Sequence, residues 1–186
     1  MLYGHAMTTP KRLSADAWID FALNVLAREG AEALKAEVLA RRLKVSRGSF
    51  YWHFADRDAF HARVIARWRE TMTEGVIASL ARHGTPARRL DALLGRAFRH
   101  RNRLELRMRG WADHNAAAAR AVRAVDRRRC RYIEALLREA GIAPARAATR
   151  AQLLYWAYLG AALGHSQLAG AQLERSVKEL MRIGLG

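Results

Sequence analysis

The chain has 186 residues, of which 51% are hydrophobic, 33 basic and 17 acidic, for a formal charge of +16. That is enough apolar material for one ordinary domain, or for a small domain fused to a larger one. No run of about 18 uninterrupted apolar residues occurs, which excludes a helical membrane span. The opening segment Met1 to Met7 is too short and too polar for a signal peptide. Cys130 is the only cysteine, which excludes an intramolecular disulfide and a multi-cysteine metal site, so a cytoplasmic protein is the simplest expectation.

The charge is unevenly spread. Residues 1–58 carry nine basic and seven acidic side chains, whereas residues 59–186 carry 24 and 10. Segment 82–131 alone holds 15 arginines against four acids. A solvated, compositionally biased surface is the favoured account of that segment, and a specific anionic partner is the alternative. The field of the whole molecule favours approach to DNA, but the basicity lies outside the N-terminal region.

Strand signals are nearly absent, and apolar residues recur at helical spacing. Ser14 and Asp16 mark a helix start, with Ala17, Trp18, Phe21, Ala22, Val25 and Leu26 on one face and Gly30 at its end. A short helix over about 36–42 buries Leu39 and Ala40. Leu43-Lys44-Val45 makes a turn, and Ser46 is placed to cap a third helix over about 47–54. A fourth begins near Asp56 and runs to about Arg82, with Phe60, Val64, Trp68 and Met72 on one side. Gly84-Thr85-Pro86 breaks the chain before a helix carrying Leu90, Leu93, Leu94, Ala97 and Phe98. Leu104 to Trp111 reads as a short helix, and Asp113-His114-Asn115 as a break with a fresh cap before a long helix closed by Gly141. After Pro144 comes a very apolar helix with Leu153, Trp156, Leu159 and Leu163; Gly164 to Gly170 loosens the pattern before a last helix. The expected fold is all-α, with about nine helices and no sheet.

Two short helices joined by a tight turn satisfy the local requirements of a helix-turn-helix. Phe50 and Phe54 stand at i and i+4, so they share an inward face. Arg47, Gly48, Tyr51 and Trp52 then face outward, flanked by Ser49 and His53. Arginine can pair bidentately with guanine in the major groove. Ser49, Tyr51 and His53 can donate to phosphate oxygens, Gly48 admits a close backbone approach, and Arg57 adds a charge beside helix-terminal N–H groups. The competing reading makes Tyr51, Trp52 and Phe54 ordinary core aromatics.

The run Leu39 to Phe54, followed by Asp56-Arg57-Asp58, resembles the helix-turn-helix of the tetracycline-repressor (TetR) family. The resemblance covers about residues 13–60. It implies a homodimeric, ligand-responsive regulator, most often a repressor, on near-palindromic double-stranded operator DNA. Residues 1–12 read as a disordered lead-in, and the resemblance further implies a DNA-binding domain at 13–58 and a helical ligand-binding and dimerisation domain at 59–186. Carried over by position, Arg47, Gly48, Ser49, Tyr51, Trp52, His53 and Arg57 touch DNA. Two positions depart from the family pattern. Lys35 replaces the usual capping threonine, although it can reach a phosphate, and Lys44 replaces a common glycine, which forces a strained backbone or a different turn.

In the second half, Glu105 to Ala112 and Val125 to Arg129 resemble recurrent segments of the same family without naming an inducer. Trp68, Met72, Phe98, Met108, Trp111, Tyr132 and Tyr155 either line a pocket for a small-molecule inducer or fill the core. Arg107, Arg109 and Arg129 either meet an acidic ligand or are solvated or paired with Asp126. Gly160, Ala161, Ala162 and Gly164 allow close helix approach, and Leu153, Trp156, Leu159, Leu173, Val177 and Leu180 supply apolar area for a homodimer interface. The histidines are scattered and no phosphate loop or placed nucleophile is present, so neither an enzyme nor a metal or other cofactor is expected. The alternative function is a helical ligand- or protein-binding module that has lost operator recognition.

Overall fold

The computed structural model describes residues 13–99, 103–164 and 169–186, so the lead-in expected at 1–12 lies outside the described residues. Helix α1 (Ala15–Glu29) starts at Ser14, whose hydroxyl accepts the Ala17 N–H at 3.2 Å, and stops at Gly30, whose φ of 93° suits glycine alone. A 3₁₀ turn at Ala31–Ala33 leads into α2 (Ala36–Leu43) and α3 (Arg47–His53). Next come α4 (Arg57–Arg69), a π-turn at Glu70–Glu74 and α5 (Gly75–Leu80), whose junctions are helical throughout, so the three form one continuous rod. Beyond it lie α6 (Pro86–Arg99), α7 (Arg103–Ala112), α8 (Ala116–Glu139), α9 (Pro144–Leu163) and α10 (Gly170–Leu185). Counting the rod once gives nine helices among the described residues, and no strand.

Side-chain caps confirm two further starts. Asp56 accepts the Ala59 N–H at 2.7 Å and Asn115 the Ala118 N–H at 2.9 Å. Ser46 stands at the N-cap of α3 in extended conformation, yet its hydroxyl makes no capping bond; its carbonyl takes the Ser49 N–H at 3.0 Å instead. Lys35 precedes α2 with no side-chain cap, as its chemistry requires. The turn after α2 is a complete Schellman motif. Lys44 N–H bonds the Arg41 carbonyl at 3.2 Å and Val45 N–H the Ala40 carbonyl at 3.0 Å, with Lys44 left-handed at φ 56°. It is the only described non-glycine residue with positive φ.

Packing divides into two cores that do not break at residue 58. The first gathers Trp18, Leu26, Leu39, Phe50, Phe60 and Trp68 from α1–α4 with Met108 and Trp111 of α7 and Val122 of α8. The second gathers Leu90, Leu94, Leu136, Leu137 and Leu154 from α6, α8 and α9, with Val177, Leu180 and Met181 of α10 packed against it. Between α1 and α4, Arg67 bridges Asp16 at 2.5 Å and Asp20. Between α1 and α2, Arg42 grips both oxygens of Glu29. Helix α7 lies along α1, and Arg107 reaches the Gly30 turn.

His61 of α4 sits at this junction, edge-on to Trp111 with ring centroids 4.9 Å apart. Burial holds its pKa below the ordinary 6.5, against a backbone hydrogen bond to Leu34, with Arg57 also lowering it and Asp58 raising it. Its Nε2 is buried without a hydrogen-bond partner. The unfolded chain therefore binds the proton more readily. Stability from this site is intact above pH 6.5 and is lost as pH falls from there toward the lower folded value. Denaturation of wild type and His61→Phe between pH 8 and pH 5 should show a shallower acid loss in the variant; parallel curves would refute the assignment. A second expectation concerns Lys44. Glycine has no Cβ to clash in the left-handed region, so Lys44→Gly should stabilise the fold by about 1 kcal/mol in urea titrations.

Candidate nucleic-acid interface and internal cavity

Helix α3 is divided sharply between its two sides. Phe50 is 1% exposed and Phe54 3%. Phe50 meets Trp18, Phe54 and Phe60 at centroid separations of 5.5, 5.1 and 5.0 Å, and Phe54 meets Phe60 at 4.9 Å. These edge-to-face and tilted contacts fix the helix by its inner face. On the other side Tyr51 is 48% and Trp52 70% exposed, which removes them from the core reading. Arg47 is exposed beside them, with its guanidinium 5.5 Å from the Tyr51 ring centroid and one nitrogen 3.2 Å from the Tyr51 hydroxyl. Glu37 of α2 lies 3.5 Å from the same nitrogen. The Tyr51 hydrogen bond, then the Tyr51 and Glu37 charges, raise the Arg47 pKa.

The flanking residues are arranged less simply. Gly48 is exposed, and a Cβ there would meet only the Ser46 hydroxyl at 3.7 Å, so the fold itself does not demand glycine. Ser49 is half-buried at the edge of the helix. His53 is half-buried as well, and its Nε2 lies 2.7 Å from the Leu13 carbonyl. That nitrogen must donate to the oxygen, so His53 holds the start of α1 and offers a phosphate at most its other nitrogen. Lys35 is exposed at the head of α2. Arg57 is exposed at the head of α4, but Asp56 already occupies one N–H there, and Asp58 lies 3.8 Å from the Arg57 Nε. The free, positive helix end expected beside Arg57 is therefore partly neutralised.

A cavity of about 480 Å³ lies behind this module, bounded by the π-turn and by α5, α6, α8 and α9. Of the residues expected at a pocket, Met72, Tyr132 and Tyr155 line it. Trp68, Met108 and Trp111 do not; they are sealed in the first core, where α4, α7 and α8 close on one another. Phe98 packs half-buried against the second core and is not part of the cavity wall. Sequence reasoning missed Thr73, Val76, Ile77 and Tyr158, which also face the void. Periodicity identified the inward side of each helix but not where the interior is empty.

Charges cluster at the back of the cavity. Arg129 donates from Nε to the Thr73 hydroxyl at 3.1 Å and from Nη2 to the Met72 carbonyl at 3.1 Å, both in the π-turn, and from Nη1 to Glu105 at 3.0 Å. Arg109 joins Glu105 at 2.8 Å and grips Asp126 at 2.6 and 3.2 Å. Tyr155 donates to Asp126 at 2.6 Å and accepts from Arg109 at 3.1 Å. Burial opposes both guanidinium charges, yet the carboxylates outweigh it, Asp126 and Glu105 raising the Arg109 pKa and Glu105 first raising that of Arg129. Burial also pushes the Tyr155 phenol up. Arg107 stays exposed. The Cys130 thiol is pushed up by burial and by Asp126, the opposite of an activated thiolate.

Helices α9 and α10 present a separate apolar face. Leu153, Trp156 and Leu163 of α9 and Ile183 of α10 are 47, 59, 38 and 47% exposed, with Gly160 exposed among them and Leu159 half-buried. Of the residues expected on this face, Val177 and Leu180 pack against the second core and Leu173 is buried. Leu163 and Ile183 were not among the residues expected at an interface, although Leu163 continues the spacing of Leu153 and Trp156. Among the described residues no helix is long and apolar enough to cross a membrane.

Residues 19–64 match the family described as bacterial regulatory proteins, tetR family. No curated protein matches the chain. Among solved structures it is similar to a transcriptional regulator from Rhodococcus sp. Rha1, with a TM-score of 0.76 and 23% identity over 93% of this chain and 96% of that one. It is similar also to the reduced form of NemR from E. coli, with TM-score 0.76 and 17% identity over 91% and 96% of the two chains. A third is a TetR transcriptional regulator from Legionella pneumophila, with TM-score 0.69 and 11% identity over 94% and 98%. The match and the fold agree: residues 19–64 are a helix-turn-helix region of the tetR family of bacterial regulatory proteins, and the chain as a whole has the all-α fold of these solved regulators.

Proposed function

We propose that the protein is a ligand-responsive repressor that binds a near-palindromic operator as a homodimer, in the cytoplasm where that DNA lies. The observation that carries this reading is the outward side of α3. Arg47, Tyr51 and Trp52 project to solvent while Phe50 and Phe54 lock the helix from behind. In this reading Arg47 reads a base edge, Tyr51 and Ser49 contact phosphates, and Gly48 lets a phosphate strand come close. Lys35 and Arg57 sit at the ends of α2 and α4, placed to reach the flanking backbone, with His53 contributing mainly by holding α1. The domain division at residue 58 follows this assignment of roles, although the first core continues beyond it.

Ligand response is supported by the cavity's position. Its wall includes the π-turn of the α4–α5 rod, whose other end is built into the DNA-binding module. Occupancy that favours one arrangement of the rod shifts the population between DNA-competent and DNA-incompetent forms. The exposed apolar face of α9 and α10 suits self-association, since the same patch on two copies forms a two-fold contact.

Selection from random DNA should recover a two-part site with half-sites about one helical turn or more apart. Binding should weaken with rising salt as counterions are released. Arg47→Ala should lose about tenfold to a hundredfold in affinity for the selected site and relax its sequence preference. If no sequence is enriched, the helical binding module without operator recognition becomes the better account, and the near-neutral charge of residues 1–58 favours it. Sedimentation at micromolar concentration should give a dimer for wild type and a shift to monomer for Trp156→Glu. A wild-type monomer would remove the dimer from the proposal.

A further inference from the structure

The charged network at the back of the cavity is closed on itself. All three nitrogens of Arg129 have partners: the Thr73 hydroxyl, the Met72 carbonyl and Glu105. Glu105, at 0% exposure, also takes Arg109, which in turn holds Asp126. Tyr155 spends its one proton on Asp126. Two guanidiniums therefore stand against two carboxylates, and their sum is zero.

That balance decides what can enter. An acidic ligand drawn to Arg129 would have to compete with a wholly buried carboxylate and leave Glu105 under-compensated, a costly exchange away from water. A cationic ligand meets the converse obstacle, because Glu105 and Asp126 are already satisfied by the two arginines. Arg96, at the rim, is exposed, and water and salt screen its charge there. What faces the void is aliphatic surface from Val76, Ile77, Leu93 and Leu154 with the rings of Tyr132 and Tyr158. Such walls reward removal of apolar surface from water, and the rings reward stacking.

From this closed charge balance we propose that the effector taken by the cavity is an uncharged, largely aromatic small molecule, and that acidic ligands are excluded. The inference rests on reading the cavity as the effector site. It is tested on the full chain with two dyes sharing one ring system, neutral N-phenyl-1-naphthylamine and the anionic 8-anilino-1-naphthalenesulfonate. The neutral dye should bind with enhanced fluorescence, and Ala97→Phe and Ile77→Phe, which fill the cavity from two helices, should each abolish that signal. If one of these variants fails to fold, the other carries the localisation. The strongly basic surface will attract the sulfonate, so only sulfonate signal lost on filling counts as cavity binding.

At the cavity the neutral dye should bind about tenfold tighter or more. Glu105→Gln removes the shared negative charge, so it should raise cavity affinity for the sulfonate relative to the neutral dye severalfold. Equal or tighter cavity binding of the sulfonate in wild type overturns the proposal. So does neutral-dye signal that survives both filling variants, or its absence. Operator affinity measured with and without the neutral dye keeps the two readings apart. Cavity binding without operator release upholds the ligand class and removes the effector role.

Discussion

Glu105 lies wholly out of water in the first turn of α7, where a lone carboxylate would carry a prohibitive desolvation penalty. It persists because Arg109, one turn along the same helix, and Arg129, across on α8, approach it at 2.8 and 3.0 Å. Each arginine then extends the network. Arg129 fastens the π-turn of the α4–α5 rod, and Arg109 fastens Asp126 and, through it, Tyr155 of α9. Four structural units thus meet at one buried charge. Removing one member of such a set costs about 3–5 kcal/mol, because the others are left uncompensated.

Apolar contacts alone specify a helix's register weakly, and α8 and α9 are rich in alanine, whose small side chains slide past one another with little penalty. A guanidinium with three directed hydrogen bonds is far less tolerant of a shift. The network therefore defines how the rod sits against α7 and α8. Because α7 also packs along α1, the same node that closes the cavity's charges supports the DNA-binding module from behind. The wide turn fits this arrangement. A π-turn interrupts the regular carbonyl ladder, and Arg129 supplies a donor to the Met72 carbonyl within it.

Features set by neighbours in sequence were readable in advance, and those set across the fold were not. Ser14, Asp56 and Asn115 cap their helices because the cap and its N–H lie three residues apart. The strained Lys44 turn was legible for the same reason: one residue's backbone conformation closes it. The two-sided character of α3 followed from the spacing of Phe50 and Phe54. Ser46 differs because the backbone carbonyl of the same residue supplied an equivalent partner. His53 differs because its partner, Leu13, lies 40 residues away in sequence. The π-turn depends on an arginine more than 50 residues further on, and no local pattern announces it. Pocket placement has the same limit. Trp68 and Met72 share one helix face four residues apart, yet one fills a core and the other borders a void.

The distribution of charge acquires a physical explanation from these contacts. Part of the arginine excess is structural: Arg67, Arg109, Arg128 and Arg129 are spent on carboxylates of neighbouring helices. Another part is a solvent-facing row, Arg120, Arg123, Arg127 and Arg131, spaced at helical intervals along α8. Neither group belongs to the recognition helix. The long-range attraction between this molecule and a polyanion is consequently a property of its C-terminal body, whereas the proposed function gives discrimination among sequences to Arg47 and its aromatic neighbours. In the proposed function, approach and reading fall to different parts of one chain, and only the reading depends on how firmly Phe50 and Phe54 hold α3 in place.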